Sequence, residues 1–269
     1  MDKPKIFKNK ITLSKNARNI DAFRSALREL FFVEYPQFKF KKSGFESDLR
    51  KFIDVHKQDD VWIYYPWKNT LVHCLKEDLY FKLRTARNHN IITEQEQSSY
   101  RNMTVGVAGL SVGSAIVSAL VMTGGPKSLK IADFDTVAIS NLNRIRAALT
   151  DIGSNKAWVA ARGAWETDPF MDIQIWPSGL SRATLDEFIK GKNTLDIFID
   201  EMDDIEMKLI ARKLCKKYKI PVLMATDNGD GVIVDVERFD LETKQPLLRG
   251  FGSGIESAKK PRSDRKSVV

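Results

Sequence analysis

The sequence predicts an α/β fold: a Rossmann-like, mostly parallel, doubly wound sheet with helices on both faces, preceded by a small α+β N-terminal region. From Met103 onward short apolar runs alternate with amphipathic segments, which predicts strands joined by crossover helices. Before that point the composition shifts toward aromatic and charged residues. We therefore expect an N-terminal α+β region over 1–82, a nucleotide-binding domain over 83–250 and a tail over 251–269.

The N-terminal region is predicted to hold a helix, a hairpin and two further helices. Apolar residues at helical spacing, Phe23 and Leu30 among them, predict a helix over 20–34. Two strands, over 61–65 and 71–75, are expected to pair as a hairpin after Pro66. Helices follow over 76–87 and 93–101, the second opened by a capping box of Thr93 and Glu96.

The second region alternates strands and helices along its whole length. Strands are predicted over 104–108, 128–132, 173–176, 196–199, 221–225 and 232–239, and helices over 112–123, 156–166, 183–189 and 205–218. Connections of this length place the strands parallel, with helices on both faces of the sheet.

Composition excludes several protein classes. Apolar residues make up 43% and charged residues 29% of 269 residues, which is typical of a globular protein. No apolar run is long enough to span a bilayer, so we expect a cytoplasmic protein. Two cysteines without Cys-x-x-Cys spacing exclude a paired-cysteine zinc site. The net charge of +8 indicates anionic partners, although lysine runs at the two ends are more typical of solvated tails.

A glycine-containing turn follows the first strand of the second region. Gly109 allows a tight turn, and Gly113 allows close approach of a phosphate or close packing of the next helix. Ser111 stands where dinucleotide-binding folds usually have their second glycine. Asp133, at the end of the next strand, is placed to reach a ribose hydroxyl. This pattern fits NAD, FAD or ATP equally, and a turn without any ligand stays open.

The next stretch is more specific. The segment Ala132-Asp-Phe-Asp-Thr-Val-Ala-Ile-Ser-Asn-Leu-Asn-Arg144 resembles the signature of the ThiF/MoeB/HesA family of ubiquitin-activating-enzyme-like adenylyltransferases. Asp151–Lys156 resembles the family's Gly-x-x-Lys, Ile199–Asp204 its Asp-x-x-Asp-Asn, and Leu83–Asn88 its Arg-x-x-Arg-Gln. The resemblance covers roughly 84–240. It implies ATP-dependent activation of a carboxylate, foremost the C-terminal glycine of a ubiquitin-like or sulfur-carrier protein, with ATP and Mg²⁺ and without zinc.

The resemblance also implies roles for single residues. Arg144 and Lys156 match the pair that binds the triphosphate, and Asp203 matches the magnesium ligand. Arg87 matches an arginine that reaches the ATP of a neighbouring subunit, which implies a homodimer. The residues expected to contact the nucleotide are Gly109, Gly113, Asp133, Asp135 and Asn141. Each has an ordinary alternative: Asp203, for example, is also placed to cap the helix over 205–218.

The sequence departs from the family pattern in four respects. The zinc-binding Cys-x-x-Cys pairs are missing, no transferring cysteine can be identified, and the spacing between Arg144 and Lys156 is slightly short. The fourth departure is in the glycine turn. The glycine turn contains Ser111 and is one residue shorter than usual. The phrases Trp62–Trp67 and Gly109–Gly113 resemble a bacterial subgroup in which a nitroreductase-like region follows the ThiF module. The sequence contains no such region, and residues 264–269 match the translation of a common sequencing adapter. We therefore expect the chain to be truncated, and the tail over 251–269 to be a disordered assembly artefact.

Three alternative functions stay open at this stage. The first is adenylation of a carboxylate on modified tRNA, which the basic charge suits but which we favour less than a carrier protein. The second is a nicotinamide or flavin oxidoreductase, which explains Asp133 but leaves Arg144, Lys156 and Asp203 without a role. The third is a non-catalytic nucleotide-bound scaffold.

Overall fold

The computed structural model describes residues 3–41 and 43–250, which divide into two compact units. The first comprises residues 3–101, 119–125 and 162–171, and the second residues 102–118, 126–161 and 172–250. The expected tail over 251–269 lies outside the described residues. The domain boundary between residues 82 and 83 stays a prediction.

The first unit contains a four-stranded sheet with helices packed on it. Its elements are β1 (Lys5–Phe7), β2 (Arg18–Asp21), α1 (Phe23–Glu34), α2 (Glu46–Val55), β3 (Asp60–Tyr65), β4 (Thr70–Leu75), α3 (Glu77–Arg84) and α4 (Glu94–Asn102), the last residue of which belongs to the second unit. The strand order is β1-β3-β4-β2, and β3 and β4 form the predicted antiparallel hairpin. The sequence did not predict β1, β2 or α2. Strands of three and four residues are too short to show a period.

Leucine and phenylalanine residues form one core of the first unit. Leu27, Leu30 and Phe31 of α1 are almost completely buried, and they pack with Phe52 of α2 and Leu75 of β4. Burial of this apolar area stabilises the unit, and Leu27 and Leu30 have the helical spacing from which α1 was predicted.

The second unit is built on a six-stranded sheet. Its elements are β5 (Thr104–Ala108), α5 (Gly113–Met122, of which 119–122 belong to the first unit), β6 (Ser128–Ala132), α6 (Lys156–Thr167, of which 162–167 belong to the first unit), β7 (Asp172–Trp176), α7 (Leu185–Lys190), β8 (Ile197–Asp200), α8 (Ile205–Tyr218), β9 (Val222–Asn228) and β10 (Gly231–Glu237). The strand order is β10-β9-β8-β5-β6-β7, and all pairs are parallel except β9 with β10. The predicted mostly parallel α/β sheet is therefore confirmed. Only Gly229 and Asp230 connect β9 to β10, which allows a hairpin and excludes a parallel crossover.

The strand order creates a crevice at one edge of this sheet. From β5 the chain continues to β6 on one side, while β8 pairs with β5 on the other side. Parallel strands end at the same edge, and ligands of open α/β sheets bind where the order reverses in this way. A ligand-binding site is therefore expected at the loops after β5, β6 and β8.

The helices of the described residues include none that combines the length and the apolar composition needed to cross a bilayer.

Candidate functional site

A cavity of about 250 Å³ lies at the carboxyl ends of β5, β6 and β8. All of its lining residues belong to the second unit and come mainly from the loops that follow these strands: Ala108–Ser111, Ala132–Asp135, Gly179, Leu180, Glu201–Asp204 and Met207. Carboxylates line one part of its wall and the side chains of Phe134, Leu180, Met202 and Met207 another. Such a mixture of apolar walls and a few polar groups is typical of a small-molecule site.

Gly109 shapes the turn beneath this cavity. Its φ of +88° is in the left-handed region, and an added Cβ would lie 2.2 Å from the carbonyl oxygen of Glu201. Its N–H donates to the carbonyl of Ala132 at 2.9 Å. The turn after β5 thus contacts the chain after β8 so closely that only glycine fits. Gly113 does not line the cavity; its Cβ would lie 2.9 Å from Val107 Cγ1, so it serves close packing of α5 on β5.

Asp133 is a buried carboxylate that fixes the same turn. It accepts hydrogen bonds from the N–H of Leu110 at 2.6 Å and from the N–H of Asp135 at 2.8 Å. Burial raises the pKa of Asp133, and the two N–H donors oppose that rise. A carboxylate offers about four acceptor positions, so two remain for a ligand hydroxyl. Both the capping of turn amides and the predicted ribose contact fit this geometry.

Lys156, the first residue of α6, is held at the edge of the cavity although only 6% of its surface is exposed. Its ammonium donates to Asp135 Oδ2 at 2.9 Å and to Ser111 Oγ at 3.1 Å. Its backbone N–H donates to the carbonyl of Asp135 at 2.9 Å. Since Ser111 and Asp135 both line the cavity, the positive charge lies beside it.

In the acidic turn after β8, helix capping and ligand binding fall to two different aspartates, whereas the sequence left both roles open for Asp203. Asp204, not Asp203, caps α8: its carboxylate accepts from the N–H groups of Glu206 and Met207 at 2.8 and 3.2 Å. Asp203 is exposed and lines the cavity, and within the described residues no hydrogen bond or ion pair engages its carboxylate. The capping alternative for Asp203 therefore does not hold, and its carboxylate is available to a ligand.

Besides Gly113 and Lys156, two predicted site residues of the second unit, Asn141 and Arg144, do not line the cavity. Asn141 Oδ1 accepts from the N–H of Ala138 at 3.0 Å and so stabilises its own 3-10 turn. Arg144 is exposed, and its Nη1 donates to the carbonyl of Ser140 at 3.1 Å and to Asn143 Oδ1 at 2.9 Å. Arg87 is an exposed residue of the first unit, in the 3-10 helix Ala86–Asn88. Their roles stay predictions.

Several residues at or near the site were not anticipated as ligand contacts. Glu201 lines the cavity, and its Oε1 accepts from the N–H of Ala225 at 2.9 Å; burial raises its pKa. Phe134 lies against Gly179, where an added Cβ would be 2.8 Å from the ring. Glu201 lies inside the acidic motif that the sequence did single out. Phe134 and Gly179 are far apart in the sequence, so no local pattern predicts that they line the same cavity.

A buried ion triad stands behind the acidic turn. Arg212 is 0% exposed and donates through Nη1 to Asp200 and through Nε to Glu237 at 2.6 Å. Asp200, at the end of β8, also accepts from the N–H of Met202 at 3.2 Å. The triad therefore ties β8, α8 and β10 together and shapes the turn that presents Asp203.

Comparison with known proteins agrees with this geometry. A family model described as "ThiF family" matches residues 84–264. The chain is 40% identical over 206 residues to the uncharacterized protein MT1398 of Mycobacterium tuberculosis, covering 77% of this chain and 28% of that protein. It is 30% identical over 237 residues to tRNA threonylcarbamoyladenosine dehydratase 2 of Saccharomyces cerevisiae, covering 80% of this chain and 47% of that protein.

A further relative is the probable molybdopterin-synthase adenylyltransferase of Porphyra purpurea, with 31% identity over 161 residues, covering 59% of this chain and 40% of that protein. Among solved structures, the E. coli tRNA N6-threonylcarbamoyladenosine dehydratase in complex with ATP matches with a TM-score of 0.52 and 21% identity. The match covers 56% of this chain and 62% of that one, which supports the fold. The chain thus spans less than half the length of these three relatives.

Proposed function

Since the chain belongs to the ThiF family, we propose that it is an ATP-dependent adenylyltransferase that activates a carboxylate, foremost the C-terminal glycine of a ubiquitin-like or sulfur-carrier protein. The observation that carries the proposal is the cavity at the reversal point of the sheet. It is lined by Asp133, Asp135 and Asp203, and the ammonium of Lys156 is bonded to its wall.

The cavity offers complementary groups for each part of a nucleotide. Asp133 keeps two acceptor positions for ribose hydroxyls. The apolar side chains of Phe134, Leu180 and Met202 offer a wall for a base, and α5 begins beside the glycine turn, where helix N–H groups favour a phosphate. The E. coli dehydratase of similar fold has been solved in complex with ATP, which favours ATP as the nucleotide.

The proposed reaction needs positioning and fixed charge more than covalent help from the protein. A carboxylate oxygen of the acceptor attacks the α-phosphorus of ATP and forms a new P–O bond. The bond from that phosphorus to the bridging oxygen breaks, and pyrophosphate leaves with the electron pair. Negative charge grows on the phosphoryl oxygens, so the ammonium of Lys156 beside the cavity lowers the barrier.

The donor set fits magnesium. Mg²⁺ is usually bound by one or two protein carboxylates together with substrate phosphates, and Asp203 is an exposed carboxylate without a partner in the described residues. The described residues hold no cluster of three or more ligating side chains, which an all-protein metal site would need. Asp203 would therefore hold the ion, which supplies positive charge to the phosphate oxygens when bound.

Arg144, Asn141 and Arg87 enter the proposal through the family resemblance, not through the cavity lining. Arg144 is exposed, and among the described residues it is bonded to Ser140 and Asn143 of its own loop, so exchange of those bonds for a triphosphate costs little. Asn141 would contact the nucleotide beside the phosphates. Arg87, exposed in the first unit, would act on the ATP of a second copy, and the proposed active form is a homodimer.

The deciding experiment is ATP–pyrophosphate exchange with magnesium and purified carrier proteins. We expect exchange that depends on a carrier and falls about 100-fold or more in Asp203→Asn, the size of effect seen when a group that stabilises transition-state charge is removed. The matched control is Asp230→Asn, which changes an exposed aspartate in the β9–β10 turn of the same unit. Exchange that survives in Asp203→Asn would remove that residue from the mechanism. ATP binding without exchange on any acceptor would favour a non-catalytic scaffold.

A carboxylate on modified tRNA is the second candidate acceptor. The yeast relative is named as a tRNA-modifying dehydratase. Residues 1–82 contain 17 Lys and Arg against 11 Asp and Glu, a net charge of +6, whereas residues 83–250 contain 21 against 22, a net −1. The lysine-rich start is not a loose tail, because β1 and β2 pair at opposite edges of their sheet and Lys10 stands 5.2 Å over the ring of Trp62. We take three exposed lysines of the first unit, Lys8, Lys10 and Lys15, as the basic surface that a tRNA would contact.

Salt-dependent binding separates the two acceptors. If the basic surface binds tRNA, Lys8, Lys10 and Lys15 changed together to Gln should reduce the slope of log binding constant against log salt by about 2, since each lost phosphate contact is worth about 0.7 to 0.9. The same change at Lys192, Lys217 and Lys244 of the second unit is the control. If neither triple change alters this salt dependence and a carrier protein supports ATP–pyrophosphate exchange, the carrier protein is the acceptor.

A further inference from the structure

The ammonium of Lys156 is held by two oxygens of different charge. Asp135 Oδ2 carries a negative charge and lies 2.9 Å from Nζ, whereas Ser111 Oγ is neutral and lies 3.1 Å away. Asp135 is 53% exposed, but Lys156 is almost buried. Of the three N–H donors of this ammonium, two are engaged within the described part of the chain, which leaves one for a ligand.

The neutral partner stands at an unexpected position. Ser111 lies in the turn between β5 and α5, midway between Gly109 and Gly113, where dinucleotide-binding sheets usually have a glycine. Its backbone carbonyl accepts from Ser114 Oγ at 3.0 Å, which fixes the turn and with it the direction of the Ser111 side chain. A glycine here would leave Asp135 as the partner of the ammonium.

We propose that Ser111 is a positioning residue that holds the ammonium of Lys156 toward the phosphate oxygens of the bound nucleotide. This inference rests on the proposed function and refines its phosphate-binding part. Asp135 attracts the ammonium but also cancels its charge, whereas a hydroxyl fixes it and leaves the charge available. The hydroxyl accepts one N–H of Lys156 and so fixes the ammonium without neutralising it.

Nucleotide affinity gains because the Lys156 side chain is ordered before the nucleotide binds. A lysine side chain has large rotamer freedom, and ordering it during binding weakens affinity. Because Ser111 and Asp135 already hold Lys156 in the folded chain, its side chain loses little conformational entropy when the nucleotide binds. Loss of the serine hydroxyl should therefore weaken nucleotide binding through Lys156 and not through the shape of the turn.

The first test needs no nucleotide. The acetylation rate of Lys156 by acetic anhydride is measured by mass spectrometry in the intact chain. Ser111→Ala and Ser111→Gly should raise that rate about ten-fold, the effect of losing one charge-assisted hydrogen bond. Ser111→Thr, which keeps a hydroxyl, should restore the slow rate. Ser118→Ala on α5 is the matched control and should change nothing. An unaltered rate in both Ser111→Ala and Ser111→Gly would overturn the proposal.

The second test is a double-mutant cycle on the dissociation constant of ATP with magnesium, measured by calorimetry. Ser111→Ala should weaken binding about ten-fold in the native chain and by less than about two-fold in a Lys156→Gln background. Equal losses in both backgrounds would show that Ser111 acts without Lys156 and would overturn the inference. Because the cycle measures binding, absence of pyrophosphate exchange would refute the adenylation proposal alone, and absence of ATP binding would refute both.

Discussion

Replacement of Arg212 by Met removes the guanidinium that pairs with the two buried carboxylates Asp200 and Glu237. Within the described part of the chain, Lys208 is then left as a positive partner of Asp200. The guanidinium is 0% exposed and bonded to Asp200 and Glu237, which are 0% and 1% exposed. Methionine fills much of the volume but leaves both carboxylates without their strongest donor. Removal of one partner from a buried ion pair costs about 3–5 kcal/mol. Lys208 Nζ stays 3.4 Å from Asp200 and offsets part of the loss, so we expect about 4 kcal/mol at neutral pH.

The loss should depend on pH in a defined direction. Burial raises the pKa of Glu237 above its ordinary value of 4.5, and the guanidinium of Arg212 opposes that rise. Without the guanidinium the pKa of Glu237 in the folded state rises further. When the pKa of a carboxyl group is higher in the folded than in the unfolded state, its contribution to folding stability is complete at pH values below the unfolded-state pKa. That contribution is lost as the pH rises through the folded-state pKa. The penalty of Arg212→Met should therefore be small near pH 4.5 and grow toward pH 8.

The assay is urea unfolding of the intact chain, followed by circular dichroism at several pH values. Arg238→Met is the matched control, because Arg238 is exposed and pairs with Asp240 at the surface. It should cost less than about 1 kcal/mol. Arg212→Met combined with Glu237→Gln should recover part of the loss. A penalty that equals that of the control, or that does not vary with pH, would refute the buried-charge reasoning.

Further predictions concern the turn, the metal ligand and a buried tyrosine. Gly109→Ala should destabilise by about 2 kcal/mol more than Gly153→Ala, because both have positive φ but only the first Cβ meets a backbone carbonyl; equal thermal shifts would contradict this. Asp203→Asn should raise the magnesium concentration needed for exchange, whereas Asp204→Asn should not, since Asn also caps helices; equal effects would argue against Asp203 as ligand. Burial raises the pKa of Tyr80 from 10.0 to about 12. The free energy of unfolding should therefore fall by about 2–3 kcal/mol as the pH rises from 10 to 12. Thermal unfolding of Tyr80→Phe should show a smaller decline over the same pH range.

The sequence alone was sufficient where a signal is local. Helix α8 begins and ends where its apolar spacing predicts, and β5 and β6 match their predicted bounds, because these elements are long enough to show a period. The same holds for the turn at Gly109, whose backbone conformation only glycine adopts readily. Asp133, Asp135 and Asp203 line the cavity as their positions at strand ends predict, since parallel strands end at one edge.

Only the tertiary structure decided which side chains meet. Lys156 and Ser111 are 45 residues apart, and Arg212 and Glu237 are 25 apart. No local period links such pairs, because they come together only when separate strands and helices pack in one order. The choice of Asp204 over Asp203 as helix cap rests on the backbone direction of two adjacent residues, which the composition of the turn does not specify. The sequence determined the kinds of groups at this edge of the sheet, and packing determined which of them hold one another and which remain for a ligand.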